Sequence, residues 1–186
     1  MAPNRPKLGI VKSLDRFDDF AAVIRAGGVV VFPADTVYGL ACDPDNPEAI
    51  AKLYALKGRV PTKPSALMFF SLSDLPFIPG NGRRLLPGPV TLLVPGPNGT
   101  KLGIRVPQDL GSPLSVLQSS ANRSGEPDAT KLGDVPSSIR EQADLVIDGG
   151  PLPGTPSTVI DLTVDPYRIV REGALTAADV RSRLGS

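Results

Sequence analysis

The chain has 186 residues, of which 41% are hydrophobic, so it is long enough to form a single globular domain with a sizeable core. Its 20 basic residues nearly balance its 19 acidic residues, which excludes a strong overall attraction to nucleic acid or to an anionic membrane. The absence of histidine and the single cysteine, Cys42, exclude Ser-His-Asp and Cys-His catalysis, histidine-ligated zinc sites and an internal disulfide.

The chain carries no sequence signal for a membrane or for secretion. Its N-terminus is polar and contains proline, unlike a signal peptide. The longest apolar runs, at residues 29–33 and 66–70, are far too short to span a bilayer. Together with the lone cysteine, these features predict a cytoplasmic protein with no membrane partner.

Hydrophobic periodicity and turn residues divide the chain into short helices and strands. Helices are predicted where apolar residues recur every three to four positions, and strands where apolar runs lie between glycine or proline turns. Two helix starts carry capping residues, Asn46 before Pro47 and Thr176 before Asp179. In chain order, the predictions are a helix at 17–26, a strand at 29–32, a loop at 34–40, a helix at 46–57, strands at 65–70, 90–94 and 101–106 with a hairpin at 95–99, a helix at 135–143, strands at 145–148, 158–162 and 168–171, and a last helix from Thr176. This mixture predicts an α/β domain with a twisted, partly antiparallel sheet.

Polar residues follow the first predicted strand directly. Asp35 and Thr36 come just after the buried run at 29–32, and ligands of open α/β sheets tend to bind at such positions. The alternative is an ordinary strand-to-loop turn in which Asp35 bonds to its own backbone. The local sequence alone favours the ordinary turn.

Three cationic side chains surround a glycine turn at the end of the second predicted helix. Lys57-Gly58-Arg59 is followed closely by Lys63, and arginine can bind phosphate or carboxylate oxygens through two parallel hydrogen bonds. The alternative is a solvated helix end at which Lys57 only complements the helix dipole. Considered singly, the run favours that alternative.

Hydroxyl and amide side chains recur in the second half of the chain. The run at 119–122 (Ser-Ser-Ala-Asn) can bind a ligand or satisfy a turn. Ser157 and Thr158 lead into one predicted strand, and Arg171 ends the next. Each feature alone is consistent with turn or strand-edge chemistry. Together with the basic run, they indicate a site for an anionic, nucleotide-like ligand.

These features and their neighbours occur in a defined order along the chain. The runs are residues 32–40, 57–63, 87–91, 103–107, 120–122, 157–161 and Arg171. Over about residues 22–174, the chain resembles the YrdC-like threonylcarbamoyl-AMP synthase family. The resemblance implies a single YrdC-like domain at residues 1–186. Its α/β fold would have a twisted mixed parallel and antiparallel sheet, flanking helices and a basic concave cleft.

The resemblance also implies an activity. Members of this family are nucleotidyltransferases that join L-threonine, bicarbonate and ATP into L-threonylcarbamoyladenylate and release pyrophosphate. This is the first step in forming threonylcarbamoyladenosine in tRNA. The resemblance implies that the product passes to a tRNA threonylcarbamoyl transferase, and it allows contact with tRNA itself. Mg²⁺ would accompany ATP, held mainly by phosphates and water, so no metal ligand is assigned.

The family's site residues map onto matching positions in this sequence. The resemblance assigns catalysis to Lys57 and Arg59. It assigns threonine binding to four residues, with Arg105 as the partner of the carboxylate: Thr36, Arg105, Ser120 and Ser157. It assigns ATP binding to six residues: Arg59, Lys63, Lys101, Asn122, Thr130 and Arg171.

Three positions depart from the pattern of the family. Met68 stands where longer members have histidine at the threonine site, Lys63 where they often have asparagine, and Ala34 where threonine or serine is common. The chain also ends soon after Arg171, as in the short, single-domain branch of the family. We expect Cys42 to be a buried small hydrophobic residue, since no activating partner lies nearby in the sequence.

Two other functions are compatible with the sequence. A non-catalytic module of the same fold could bind structured RNA through phosphate contacts, with a steep dependence on salt. A related domain could handle carbamoyl-adenylate during the maturation of a metalloenzyme. The near-neutral charge and few aromatic residues argue mildly against the first. A requirement for threonine would separate the second from threonylcarbamoyl-AMP synthesis.

Overall fold

The computed structural model describes residues 10–12, 17–59, 65–108, 110, 112 and 114–185. The strands in these residues are β1 (Ile10–Lys12), β2 (Val30–Pro33), β3 (Tyr38–Cys42), β4 (Ala66–Met68), β5 (Val90–Pro95), β6 (Lys101–Arg105), β7 (Val116–Ser120), β8 (Leu145–Asp148), β9 (Thr158–Asp161) and β10 (Arg168–Arg171). The α-helices are α1 (Phe17–Arg25), α2 (Pro47–Lys57), α3 (Ser137–Arg140) and α4 (Ala177–Leu184). In this part of the chain, no helix is both long and apolar enough to cross a lipid bilayer.

The ten described strands form one sheet in the order β1-β8-β2-β3-β7-β4-β6-β5-β9-β10. Four neighbouring pairs are parallel, namely β1/β8, β8/β2, β4/β6 and β5/β9. The other five pairs are antiparallel. This architecture confirms the predicted mixed sheet with flanking helices.

Helices α1 and α2 cover opposite faces of the sheet at β2 and β3. Leu40 and Cys42 of β3 pack in one cluster with Leu53 of α2. On the other face, Phe32 of β2 packs against Phe20 of α1, with ring centroids 5.3 Å apart. Cys42 is completely buried in the first of these clusters, which confirms the prediction of a buried small hydrophobic residue, and burial raises the pKa of its thiol to about 12.

Helix α4 covers one face of the other half of the sheet. Its Val180 and Leu184 pack against apolar residues of β5, β6 and β9, namely Val90, Leu92, Val94, Ile104 and Ile160. Because successive side chains of a strand point to opposite faces, Thr91, Arg105 and Val159 lie on the face away from α4. That face therefore carries the polar side chains of Thr91 and Arg105 beside the apolar Val159.

Helix α2 begins and ends at the predicted residues. The side chain of Asn46 accepts a hydrogen bond of 3.1 Å from the amide of Ala49, which caps the first turn. Gly58 ends the helix in the left-handed conformation, at φ 58° and ψ 36°. The amide of Ser124 donates to the carbonyl of Lys57 at 2.9 Å. The helix end is thereby fixed against the 119–125 segment.

Three predictions of secondary structure need correction. The predicted loop at 34–40 is wrong at its end, because Tyr38 begins β3, a strand buried on both faces between β2 and β7. Strands β1 and β7 were not predicted, because β1 is only three residues long and β7 ends in Gln118, Ser119 and Ser120, which interrupt the apolar pattern of a strand. The predicted helix at 135–143 shortens to α3, which starts after Pro136. The other predicted elements agree with the structure to within about two residues at each end.

Candidate active site

A cavity of about 200 Å³ lies on the polar face of six neighbouring strands, from β7 to β10 in the sheet order. Arginines and hydroxyl residues line it, namely Arg59, Arg105, Arg171, Thr36, Thr91, Ser119, Ser120 and Ser157. The sheet thus brings together six of the residues predicted to bind threonine or ATP, although they are up to 135 positions apart in the chain (171 − 36). The lining is strongly cationic for so small a volume.

Arg105 at the end of β6 is the most deeply buried cation of the cavity. Its Nη2 donates to Oδ1 of Asp35 and, at 3.4 Å, to the hydroxyl of Thr36. Its Nη1 donates to Oε1 of Gln118 at 3.3 Å. Burial lowers the pKa of Arg105, and the charge of Asp35 opposes that effect.

Two buried polar atoms of this cluster lack hydrogen bonds. Within the described residues, neither Nε of Arg105 nor Oδ2 of Asp35 has a partner. Unpaired buried donors and acceptors cost free energy, so each of these atoms is available to a further polar group, whether water or a ligand. A free donor on a buried guanidinium suits a carboxylate.

Lys57 is buried behind the cavity wall, with only 2% of its surface exposed. Its ammonium group donates to the carbonyl of Ser120, to the carbonyl of Asn122 at 2.9 Å and to Oδ1 of Asn122 at 3.0 Å. All three N–H donors are therefore used within the protein. Burial, followed by repulsion from Arg59, lowers the pKa of Lys57 from 10.5 to about 8, and the charge of Asp128 opposes this shift.

Arg59 and Ser120 are fixed at the same side of the cavity. Nη1 of Arg59 donates to the hydroxyl of Ser119 at 3.1 Å. The hydroxyl of Ser120 donates to Oδ1 of Asn122 at 2.6 Å. Gly58 reverses the chain just before Arg59, which directs the arginine from the end of α2 towards β7. The basic run and the hydroxyl run, which are about 60 positions apart in the sequence (120 − 59), thus form one wall.

Ser157 and Arg171 form the opposite side of the cavity. Arg171 donates from Nη2 to the carbonyl of Ser157 at 2.7 Å, and more weakly to its hydroxyl at 3.4 Å. The hydroxyl of Ser157 also lies 2.8 Å from that of Thr91. Ser157 is buried, whereas Arg171 remains exposed to solvent.

Three of the described residues that were predicted to bind ATP do not line the cavity. Asn122 is buried beside Lys57, and its amide group donates to the carbonyl of Glu126 at 2.6 Å. Thr130 donates to the carboxylate of Asp134 at 3.0 Å. Lys101, at the other end of β6 from Arg105, pairs with Asp161, which is completely buried. Lys63 lies outside the described residues.

The structure also places two of the three sequence departures away from the cavity wall. Met68 and Ala34 are both buried, in the apolar cluster that contains Phe20 of α1 and Val116 of β7. Both side chains pack in the core, so neither supplies a polar group to the cavity.

Several polar residues around the cavity were not assigned from the sequence. Thr91, Gln118, Ser119 and Asp128 line it, and Asp35 pairs with Arg105 behind it. Asp35, Thr91 and Ser119 lie inside runs that the sequence did single out. Gln118 gives a weaker signal, a polar residue two positions before the hydroxyl of Ser120, and therefore on the same side of β7.

The arrangement is suited to binding anions. Arg59, Arg105 and Arg171 line the cavity and Lys57 lies directly behind it, with Asp128 as the one carboxylate among the described lining residues. Across the described ranges, no three histidine, cysteine, aspartate or glutamate side chains gather as metal ligands. The cavity can hold a carboxylate near Arg105 and phosphates near Arg59 and Arg171.

Comparison with known proteins identifies the family of the chain. The family model of the Sua5, YciO and YrdC proteins, described as "Telomere recombination", matches residues 22–173. The threonylcarbamoyl-AMP synthase of Chromohalobacter salexigens is 37% identical over 180 residues, covering 81% of this chain and 95% of that protein. The threonylcarbamoyl-AMP synthase of Bos taurus is 35% identical over 184 residues, covering 82% of this chain and 66% of that protein.

A solved structure with the same fold contains a bound amino acid. The crystal structure of P. abyssi Sua5 complexed with L-threonine matches with a TM-score of 0.84 and 28% identity, covering 95% of this chain and 60% of that one. The chain thus spans nearly the whole C. salexigens relative, about two thirds of the bovine protein and 60% of the archaeal protein. These matches confirm the family predicted over about residues 22–174.

Proposed function

This chain belongs to the Sua5/YciO/YrdC family, and we propose that it synthesises L-threonylcarbamoyladenylate from L-threonine, bicarbonate and ATP, with release of pyrophosphate. Its relatives in C. salexigens and B. taurus are named threonylcarbamoyl-AMP synthases, and P. abyssi Sua5 has been crystallised with L-threonine. Because the chain covers 95% of the C. salexigens protein, we propose that one domain at residues 1–186 carries the activity.

The observation that carries the proposal is the buried Arg105, with one free donor, in the same cavity as Arg59 and Arg171. A carboxylate bound at Arg105 places an amino acid at one end of the cavity. Phosphates bound at Arg59 and Arg171 place a nucleotide at the other end. Hydroxyls of Thr36 and Ser157, between these cations, supply neutral hydrogen bonds to the amino acid.

The reaction divides into two steps that balance in atoms and charge. The free amine of threonine attacks bicarbonate, giving the N-carboxy (carbamate) anion and water. A carbamate oxygen then attacks the α-phosphorus of ATP, and the bond from that phosphorus to the oxygen bridging the α- and β-phosphates breaks. Threonylcarbamoyl-AMP and pyrophosphate are the products. Both nucleophiles form without a strong base, so a chain without histidine can support this chemistry.

The cations contribute mainly by neutralising charge and aligning the reactants. Arg59 and Arg171 are the residues that contact phosphate oxygens in this proposal, because both line the cavity. Lys57 contributes its positive charge from behind the wall, since its three N–H donors are already used. It also holds Ser120 and Asn122 in place. ATP enters with Mg²⁺ bound to its phosphates and water, so few protein ligands are needed.

The chemistry of the product indicates which protein and which RNA act after this chain. A mixed anhydride of a carbamate and AMP is reactive, so we propose that a tRNA threonylcarbamoyl transferase receives it directly. The acceptor would be an adenosine of tRNA, and the threonylcarbamoyl group would be transferred in the cytoplasm. The reaction itself requires no contact between tRNA and this chain.

Release of pyrophosphate tests the proposal. The full chain is incubated with Mg-ATP, threonine and bicarbonate, and each substrate is omitted in turn. We expect release that depends on all three. Arg59→Gln should lower kcat/KM for ATP by about 100-fold or more, as expected for loss of a charge-stabilising donor. Arg181→Gln on the exposed face of α4 is the matched control and should leave it unchanged.

Two results of this assay would contradict the proposal. Release of similar size without threonine would indicate chemistry on carbamoyl-adenylate instead. No release with all three substrates, combined with salt-dependent binding of RNA, would indicate a binding module.

A further inference from the structure

Thr91 of β5 forms a hydroxyl pair with Ser157 inside the cavity. The two oxygens lie 2.8 Å apart, and both residues line the cavity. Only Ser157 was assigned to the threonine site from the sequence. The pair lies on the polar face of the sheet, opposite the face that α4 covers.

The Thr91–Ser157 pair has one hydroxyl proton that it can donate to a ligand. Two hydroxyls carry two protons, and one proton is used in the bond between them. Ser157 already accepts a weak hydrogen bond of 3.4 Å from Arg171, and the described residues give neither hydroxyl a further hydrogen-bond acceptor. One hydroxyl proton therefore remains available for an acceptor atom in the cavity.

An apolar wall stands directly beside this donor. Val159 is the register partner of Thr91 in the parallel β5/β9 pair, so the two side chains lie next to each other on one face. Val159 also lines the cavity. Gly103 of β6 has no side chain to occupy the space beside Thr91. A Cβ at this position would lie 3.5 Å from Cγ2 of Thr91 and 3.2 Å from Cβ of Ala66.

We propose that Thr91 and Val159 determine the amino-acid specificity of this site by binding the two substituents of the substrate β-carbon. The Thr91–Ser157 hydroxyl pair donates to the β-hydroxyl oxygen, and Val159 packs against the β-methyl group. This inference rests on the proposed function, which makes threonine the amino acid. A β-carbon with one hydroxyl and one methyl group is complementary to a donor beside an apolar side chain.

The proposal predicts which amino acids are rejected, and by what mechanism. Valine replaces the β-hydroxyl with methyl and would leave the hydroxyl pair without its acceptor. Sites built around a substrate hydroxyl reject such analogues strongly. Serine lacks the β-methyl group, and loss of one methyl contact lowers kcat/KM by about 10-fold or more. Discrimination against valine therefore depends on Thr91, and discrimination against serine on Val159.

The experiment compares threonine, serine and valine in Thr91→Val, Thr91→Ser and Val159→Ala. Thr91→Val keeps the shape of the side chain but removes the hydroxyl, whereas Thr91→Ser keeps the hydroxyl. The readouts are kcat/KM for pyrophosphate release and, without ATP, the equilibrium dissociation constant of each amino acid by calorimetry or displacement. Far-ultraviolet circular dichroism and thermal melting confirm that each variant is folded.

Each variant has its own expected signature. Thr91→Val should lower the preference for threonine over valine by at least about 10-fold while leaving the preference for threonine over serine unchanged. Thr91→Ser should restore most of the preference over valine. Val159→Ala should lower the preference for threonine over serine by about 5-fold or more, with the preference over valine changing much less.

Equal losses for all three amino acids in Thr91→Val and Val159→Ala would overturn the inference, since both residues would then be purely structural. The binding measurement separates this failure from failure of the proposed function. If threonine binds with the predicted changes in preference but no pyrophosphate appears, only the proposed reaction is wrong. If the wild-type protein binds none of the three amino acids, both proposals are wrong.

Discussion

At the scale of single residues, Lys57 shows how a charge can be kept inside a protein. Its ammonium group is buried, and carbonyl and amide oxygens of the 120–122 segment receive all its donors. Burial still disfavours the charged form, which lowers the pKa to about 8. The charge of Lys57 creates a positive potential near the cavity, which favours phosphate binding. Burying this charge lowers the stability of the folded protein.

The lowered pKa of Lys57 predicts a dependence of stability on pH. Between pH 8 and 10.5, the unfolded chain retains a proton on Lys57 that the folded chain has released, so the free energy of unfolding rises with pH across this window. The rise should be of the order of 3 kcal/mol, because each unit of pKa shift corresponds to about 1.4 kcal/mol. Urea denaturation of the wild type and of Lys57→Met at several pH values measures it.

The difference between the two curves isolates Lys57 from other groups with raised pKa values in the folded protein that titrate near this range in the unfolded chain, such as Cys42 and Tyr38. Lys131→Met, at a largely exposed position, should give a curve parallel to that of the wild type. A wild-type curve parallel to that of Lys57→Met would show that Lys57 keeps an ordinary pKa.

Arg105 and Asp35 form a buried ion pair, which predicts two separable effects. Their side chains are 6% and 10% exposed. Arg105→Gln should lower the free energy of unfolding by about 3 kcal/mol, because it leaves the carboxylate of Asp35 buried without its cation. It should also abolish measurable binding of threonine, because the carboxylate partner is lost. Urea denaturation and calorimetry measure the two effects.

The double variant Asp35→Asn/Arg105→Gln distinguishes these effects from general damage. It removes both charges, so it should recover at least half of the lost stability without recovering binding of threonine. Recovery of binding in the double variant would show that Arg105 is not the partner of the substrate carboxylate.

At the scale of secondary-structure elements, Gly58 couples the end of α2 to the site. Its φ of 58° is one that residues with a Cβ rarely adopt, although no atom lies within 4 Å of where that Cβ would be. Gly58→Ala should therefore cost about 1–2 kcal/mol from backbone strain alone. Because Arg59 follows directly, KM for ATP should rise as well.

Gly133→Ala is the matched control for this variant. Gly133 also has open space around its missing Cβ, but its φ is not in the left-handed region. It should be neutral or slightly stabilising. Equal effects of the two substitutions, measured by urea denaturation and by KM for ATP, would show that the left-handed turn does not position Arg59.

The sequence correctly predicts those elements whose own residue pattern matches the secondary structure that they adopt in the fold. Helix α2 has a cap, a stripe of apolar residues and a terminal glycine, and it forms over the predicted residues. Strand β3 contains Gly39 and small side chains, and it forms because β2 and β7 pair with it on both sides. Long-range pairing of this kind leaves no pattern within the strand itself.

At the scale of the whole molecule, the order of the strands assembles the site. Residues from 36 to 171 meet because β7, β4, β6, β5, β9 and β10 are neighbours in the sheet and present polar residues at one cavity. Several sequence runs suggested a ligand site, but they did not show which of their side chains face the cavity. The facing side chains depend on the pairing register of the strands, and no local sequence pattern gives that register.

Lys101 and Arg105 illustrate this point within one strand. Both were assigned to ligand contacts from the sequence, and both lie on β6. Arg105 lines the cavity, whereas Lys101 lies four residues away, at the hairpin end, and pairs with Asp161. Hydrogen bonds from Lys101 and Thr163 outweigh the effect of burial and lower the pKa of Asp161 well below its ordinary value. In this structure, Lys101 stabilises the sheet.

The most direct test of the account is to identify the product by mass spectrometry. The chain is incubated with Mg-ATP, threonine and ¹³C-labelled bicarbonate, and the nucleotides are separated at once, because the mixed anhydride is short-lived. We predict an adenylate that contains one threonine and one ¹³C atom, formed together with pyrophosphate. Detection of ATP, ADP and AMP alone, with no adduct containing both threonine and ¹³C, would contradict it.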